Sequence, residues 1–281
     1  MTIIASTVRE LRAALAARKA QGHRIGLVPT MGALHDGHVS LVTQARAQAD
    51  TVVVSIFVNP TQFAPHEDFD AYPRTLNADL ERLGSGAEIV FTPTAREIYP
   101  DGHATTISVA GPALGLESDF RPHFFAGVAT VVAKLLIAAG PDIAVFGEKD
   151  YQQLLVIKRL AADLALPVQI VGAPTLREAD GLAMSSRNAY LSLGERKIAA
   201  RLNAILKDAV PQAQAGHTPK EVEIRTAAAL KAAGFEAVDY VAIRDAETLA
   251  RLERLDRPAR ILAATKVGKT RLIDNMPLAK I

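Results

Sequence analysis

Five short runs rich in valine and isoleucine recur in the first two thirds of the chain: Ile25–Pro29, Thr51–Val58, Glu88–Phe91, Ile143–Phe146 and Val168–Val171. Between them lie longer stretches with apolar residues at helical spacing, from about His38 to Gln48, Leu76–Leu83, Gly127–Ala139 and Tyr151–Leu164. Such alternation builds βαβ units, so it predicts an α/β fold: a Rossmann-like, doubly wound parallel sheet with helices on both faces. Ligands on such sheets bind beyond the C-terminal ends of the strands. After about Pro174 the pattern changes. Two helices, Leu193–Gln214 and Pro219–Ala233, precede strands at Val238–Ile243, Ile261–Ala264 and Thr270–Asp274. The expected division is therefore a catalytic domain over 1–176 and a smaller α+β lid domain over 177–281, joined through "DGLAMSSRN". The "KVGKT" segment resembles the end of a phosphate-binding P-loop but lacks its earlier glycine, because position 263 is alanine. It reads as a hairpin turn.

Composition removes several function classes. The 281 residues suffice to bury a core. With 32 basic against 30 acidic residues, no tryptophan and 5% aromatics, the basic stripe and stacking rings of a nucleic-acid binder are missing. The absence of cysteine excludes disulfides and Cys-ligated metals. The N-terminal "MTIIASTVRELRAALAARKAQG" lacks a signal-peptide core, and the apolar stretch Gly127–Gly140 is interrupted by Lys134 and too short to span a bilayer. A soluble, cytoplasmic protein without membrane partners is expected.

Four polar stretches fall at strand ends or between the two parts. In "PTMGALHDGH", His35 and His38 occupy the first turn of a helix or the turn before it, where unpaired N–H groups and the helix dipole suit phosphate. Gly37 would let a ligand approach the backbone. The competing readings are a helix capped by Asp36, or a zinc site lacking an obvious further ligand. In "IFVNPTQF", Asn59 and Gln62 are uncharged donors and acceptors suited to orienting a hydroxyl or carboxylate, against a plain Asn-Pro turn. In "FGEKDYQQL", Lys149 suits phosphate and Asp150 ribose hydroxyls, against a turn with Asp150 as helix cap. In "DGLAMSSRN", Ser185, Ser186 and Arg187 offer three phosphate-binding groups on a loop, against a capped linker. Asp68, Asp70 and Asp79 read as solvated acids, one of which could hold Mg²⁺ through phosphates.

Together, in this order and spacing, "PTMGALHDGH", "IFVNPTQF", "FGEKDYQQL" and "DGLAMSSRN" resemble the pantothenate synthetase (pantoate–β-alanine ligase) family of the HxGH nucleotidyltransferase and class I aminoacyl-tRNA synthetase-like superfamily. The resemblance implies condensation of (R)-pantoate with β-alanine through an enzyme-bound pantoyl adenylate, consuming ATP, assisted by Mg²⁺, and releasing AMP and pyrophosphate. His38, His35, Lys149 and Arg187 would be catalytic. The nucleotide would lie along Met31, Gly32, Ala33, Leu34, His35, Asp36, Gly37 and His38, then Gly147, Glu148, Lys149 and Asp150. Leu176, Met184, Ser185, Ser186 and Arg187 would complete its site. Pantoate and β-alanine would meet Pro29, Thr30, Met31, Asn59, Gln62 and Gln153, and Asp79 would be the magnesium-associated acid. The resemblance also suggests a homodimer.

Two departures stand out. The loop "AMSSR" lacks the lysines of the tRNA synthetases' KMSKS, which argues against tRNA charging. The family's usual Arg-Pro-Gly-His-Phe is here Arg121-Pro122-His123-Phe124-Phe125, which leaves the role of His123 open. Another HxGH nucleotidyltransferase, acting on a phosphorylated acceptor, is the alternative. Asn59 and Gln62 argue against it, since such an acceptor favours Arg or Lys. A nucleic-acid-binding module on a synthetase-like fold is a weaker one.

Overall fold

The computed structural model describes residues 2–64 and 67–279. In chain order its elements are β1 (Ile3–Ala5), α1 (Val8–Ala20), β2 (Ile25–Thr30), α2 (Asp36–Arg46), β3 (Thr51–Ile56), α3 (Leu76–Leu83), β4 (Ile89–Phe91) and α4 (Ala95–Ile98). There follow α5 (Glu117–Phe120), α6 (Phe124–Ala139), β5 (Ile143–Gly147), α7 (Tyr151–Asp163) and β6 (Gln169–Ala173). The chain continues with α8 (Leu193–Ala199), α9 (Arg201–Gln214), α10 (Pro219–Ala232), β7 (Ala237–Asp245), β8 (Ala259–Val267) and β9 (Thr270–Leu278).

The first six strands form one parallel sheet in the order β1-β4-β3-β2-β5-β6. Its strands are apolar at nearly every position because both faces are covered. Alternate residues go to opposite sides. Leu27, Val53, Ile89 and Phe146 pack with α1, α6 and α7, while Val28, Val52, Val54, Val90 and Val145 pack with α2 and α3. The chain winds outward from β2 through β3 to β4, then returns to place β5 on β2's other side. The strand order thus reverses between β2 and β5, and a crevice opens beyond their C-terminal ends.

The remaining strands form an antiparallel sheet, β7-β8-β9. The "KVGKT" segment is the β8–β9 turn, with Gly268 at φ +54. One face of this sheet packs Ile243, Ile261, Ala263 and Val267 against α9 and α10. The other sets Ala242 and Leu262 against Leu155 of α7 and Leu116. Both faces of the small sheet are therefore buried, one of them on the larger unit.

One strand was not expected, and one expected helix is divided. Strand β1 pairs with β4 at the sheet's edge, yet three residues carry no readable period. The stretch expected as one helix over Leu193–Gln214 is two, α8 and α9, meeting at Ala200. Ala200 keeps right-handed helical angles (φ −59, ψ −24), so the interruption is slight and no residue there announces it.

Candidate active site

At the end of β2 the chain makes a tight turn in which Gly32 and Ala33 both have positive φ (+84 and +49). For alanine this costs roughly 1–2 kcal/mol. The Asp79 carboxylate, buried on α3, offsets it by accepting from the N–H groups of Ala33 (3.1 Å) and Leu34 (2.8 Å) and from the Thr75 hydroxyl (3.3 Å). Thr30 adds a donation to the Ser55 carbonyl (2.7 Å) and accepts from Gly32 N–H (3.3 Å). Asp79, expected beside magnesium, thus supports this turn and is not among the residues that line the cleft.

Helix α2 begins at Asp36, with His35 rather than Asp36 in the capping position. Asp36 points outward and pairs with Arg82 (2.7 Å). The His35 N–H donates to Nδ1 of His38 (3.3 Å), and the two rings lie 4.1 Å apart between centroids. Nδ1 of neutral His38 is therefore an acceptor, and its proton sits on Nε2. Burial, then the neighbouring His35 and Lys149, push His38 down to about 3. Burial, then Lys149 and Arg82, push His35 down to about 4. Both rings are neutral at neutral pH. A Cβ on Gly37 would stand 2.8 Å from Cε1 and 2.9 Å from Nδ1 of His35, so the glycine first makes room for that ring rather than for a ligand.

Beyond β3, Asn59 is buried and its amide is fully committed. It donates to Gln62 Oε1 (2.9 Å) and Gly127 O (3.3 Å), and accepts from Tyr99 OH (2.8 Å), Thr61 Oγ1 (3.0 Å) and Thr61 N–H (3.3 Å). With Gln62 Oε1 taken, Gln62 presents its Nε2 donors to the cleft it lines. Helix α6 comes so close that a Cβ on Gly127 would lie 2.4 Å from Thr61 O.

Beyond β5, a 3-10 turn over Glu148–Asp150 leads into α7. Lys149 and Asp150 line the cleft, 3.8 Å apart between Nζ and Oδ2. Asp150 occupies the capping position of α7 without a side-chain capping bond. Glu148, expected on the nucleotide, turns away and accepts from Arg260 (2.9 Å). Gln153 lines the cleft, while buried Gln152 accepts from Glu117 N–H (3.1 Å) and donates to the carbonyls of Pro112 (3.0 Å) and Gly115 (3.1 Å).

The serine loop closes the opposite wall. Ser185 accepts from Arg187 N–H (3.3 Å), Ser186 Oγ lies 3.1 Å from Tyr72 OH, and Arg187 pairs with Asp68 through Nε (3.2 Å) and Nη2 (3.1 Å). Asp68, expected to be solvated, is therefore half-buried in an ion pair.

One cleft of about 1170 Å³ gathers Pro29, Thr30, Met31, His35, Gly37, His38, Asn59 and Gln62 with Gly147, Lys149, Asp150 and Gln153. Leu176, Met184, Ser185, Ser186 and Arg187 line it as well. Gly32, Ala33, Leu34, Asp36, Glu148 and Asp79 do not. His123 is exposed and faces a separate hollow with Tyr99 and His103, whereas Phe124 faces the cleft beneath the Arg121 guanidinium (4.0 Å to the ring centre). The sequence reading missed Tyr72, Arg121 and the whole contribution of β8 and β9, including Lys269, Arg271, Asp274 and Asn275. Polar residues at consecutive positions of "TRLIDN" were the available signal, since a strand with one wet face should alternate.

The family model described as pantoate-beta-alanine ligase matches residues 3–277. The pantothenate synthetase of Mesorhizobium japonicum is 57% identical over 274 residues, covering 97% of this chain and 96% of that protein. That of Caulobacter vibrioides is 54% identical over 278 residues, 98% of each. The crystal structure of pantothenate synthetase from Thermus thermophilus is similar with a TM-score of 0.91 at 46% identity, covering 98% of this chain and 99% of that one. The pantoate-beta-alanine ligase of Francisella tularensis, solved with beta-gamma ATP and beta-alanine, gives 0.81 at 35% identity, covering 98% and 97%.

Proposed function

The chain belongs to the pantoate–β-alanine ligase family, and on that premise we propose how its cleft divides the reaction. It is an ATP-using ligase that joins pantoate to β-alanine. In the first step a pantoate carboxylate oxygen bonds to the α-phosphorus as the bond to the β-phosphate oxygen breaks and pyrophosphate leaves. In the second, the β-alanine amine bonds to the acyl carbon, loses a proton, and expels AMP.

The observation that carries this assignment is the meeting of the neutral His35–His38 pair with Lys149 in one cleft at the β2–β5 reversal. Nε2–H of His38 donates to phosphate oxygens as charge grows on them, a preorganised donor in a partly buried site. Lys149, Arg187, Ser185 and Ser186 grip the rest of the triphosphate, and Asp150 accepts from ribose. Gln62 Nε2 and Gln153 hold pantoate, with Pro29, Thr30 and Met31 beside it. Asn59 acts on pantoate through Gln62.

No group of three or more His, Asp or Glu residues suited to a metal exists among the described residues. That fits Mg²⁺, which keeps water and phosphate oxygens as its principal ligands. We propose that it enters with ATP, held by phosphate oxygens and water. Bound there, it would neutralise charge on the phosphates.

Among the described residues no helix is long and apolar enough to cross a membrane. We place the enzyme in the cytoplasm as a homodimer, on family grounds, with a catalytic unit over 1–176 and a smaller lid unit over 177–281. A lid has a purpose here, since the mixed anhydride must be kept from water until the amine arrives.

The test is AMP and pyrophosphate formation with ATP, Mg²⁺ and pantoate, with and without β-alanine, on wild type and His38→Ala. Sustained turnover needing both acids and lost in the variant is expected. Undiminished turnover in the variant would overturn the role of the β2 turn.

A further inference from the structure

The turn that carries Lys149 is held from the other sheet. Asn275 of β9 is 5% exposed, and its Nδ2 donates to the carbonyls of both Glu148 and Lys149 at 2.9 Å. Its Oδ1 accepts from Arg260 Nη1 at 2.6 Å. This fixes which way the amide faces, because the flipped form would set NH₂ against a guanidinium and oxygen against two carbonyls. Arg260 is anchored in turn by Glu148 Oε2 (2.9 Å) and by the Tyr151 ring, 3.8 Å from the guanidinium carbon. The preceding residue, Asp274, is 2% exposed and holds Arg177 through two bonds, 2.7 and 2.9 Å. Arg177 stands at the base of the serine loop, where its backbone pairs with Ala183 and its side chain donates to Gly181 O (3.2 Å).

We propose that Asn275 is a positioning residue for adenylate formation: it sets the Lys149 turn, while its neighbour Asp274 sets the base of the serine loop. One step of β9 thereby fixes both phosphate-gripping segments relative to each other. The two carbonyls belong to the 3-10 turn just before α7 and both take the Asn275 amide. Without the amide they would need water inside a buried contact. The inference rests on the reading of Lys149 as a phosphate-binding group.

The experiment is a double-mutant cycle on pantoate-dependent pyrophosphate release, using Asn275→Asp, Lys149→Ala and both together. Asn275→Asp keeps shape and the Arg260 contact but turns an oxygen toward two carbonyls. Asn275→Ala serves as the second variant, and thermal melts establish folding of each. If Asn275 acts through Lys149, either Asn275 variant loses about 10- to 100-fold in adenylate formation, comparable to a misplaced catalytic group. Its reaction of supplied pantoyl adenylate with β-alanine stays within about twofold. In the Lys149→Ala background the further loss shrinks to about twofold or less. Losses that multiply in the double variant, or that fall equally on both half-reactions, would overturn the inference and leave Asn275 a merely structural residue. Asn275 variants with wild-type pyrophosphate release beside an impaired Lys149→Ala would overturn it alone. Wild-type behaviour of Lys149→Ala would overturn the Lys149 reading and the inference with it.

Discussion

Asn59 donates its amide to Gln62 Oε1 at 2.9 Å, and this bond decides which end of Gln62 faces the cleft. Without it the Gln62 amide is free to rotate and offers an acceptor as readily as a donor. Asn59→Ala also strips the Tyr99 hydroxyl of its acceptor. The expected result is a KM for pantoate raised about tenfold, one hydrogen bond's worth of orientation, with the KM for ATP within about twofold of wild type. Steady-state titrations of each substrate check this. Equal rises in both would point to a disturbed fold.

The His35–His38 pair makes stability depend on pH. In the unfolded chain both rings bind protons near pH 6.5, but in the folded protein burial holds them down to about 4 and about 3. Between those values the unfolded state binds more protons, so this pair's contribution falls as pH drops from 6.5 toward 4 and is flat above 7. Each histidine steepens the unfolding constant by up to about tenfold per pH unit in that window. Urea titrations from pH 4 to 7.5 on wild type and His38→Gln should show a shallower slope in the variant. Identical slopes would mean that His38 is not protected from protons in the fold.

Asp79 separates two meanings of a buried acid. Asp79→Asn puts an NH₂ where backbone N–H groups must be met, and is expected to cost about 1–3 kcal/mol of stability. Turnover should fall as the His35 turn loosens, while the Mg²⁺ concentration for half-maximal activity stays unchanged. A large rise in that concentration would restore Asp79 as a metal ligand.

Gly37→Ala tests the histidine packing directly. The new Cβ would meet the His35 ring at 2.8 Å, so the ring must swing out of its place. A displacement on that scale is expected to reduce kcat by about 100-fold. The ring is partly exposed, so the melting temperature should fall little. Retained kcat would show that the position of the His35 ring does not matter to the chemistry.

The parallel sheet was readable because strands covered on both faces write uninterrupted apolar runs, and its ligand-bearing edge followed from the alternation. The β2, β3 and β5 stretches and the serine loop were readable as four local patterns, each beginning at a strand's end or the linker. Asp79 and Glu148 hold bonds that their local sequence does not announce, for a shared reason. Each lies in or beside a motif, but its partners, Ala33 and Leu34 for one and Arg260 for the other, come from distant parts of the chain. Local spacing cannot reveal such pairings. The contribution of β9 left only the consecutive polar residues of "TRLIDN" as a trace, since Asp274 and Asn275 find their partners across the boundary between sheets. His123 and Phe124 differ by one helical position, and only the packing of α6 decides which faces the cleft.

The grip of Asn275 on the Lys149 turn has a consequence for biosynthesis. The parallel sheet is complete once β6 has left the ribosome, whereas Asn275 follows Lys149 by more than a hundred residues. At ordinary elongation rates of about 5–20 residues per second, that gap lasts on the order of ten seconds. During it the carbonyls of the Lys149 turn lack the Asn275 amide that holds them in the whole chain. On the proposed role of Asn275, the full rate of adenylate formation therefore depends on the last strand, β9, being in place.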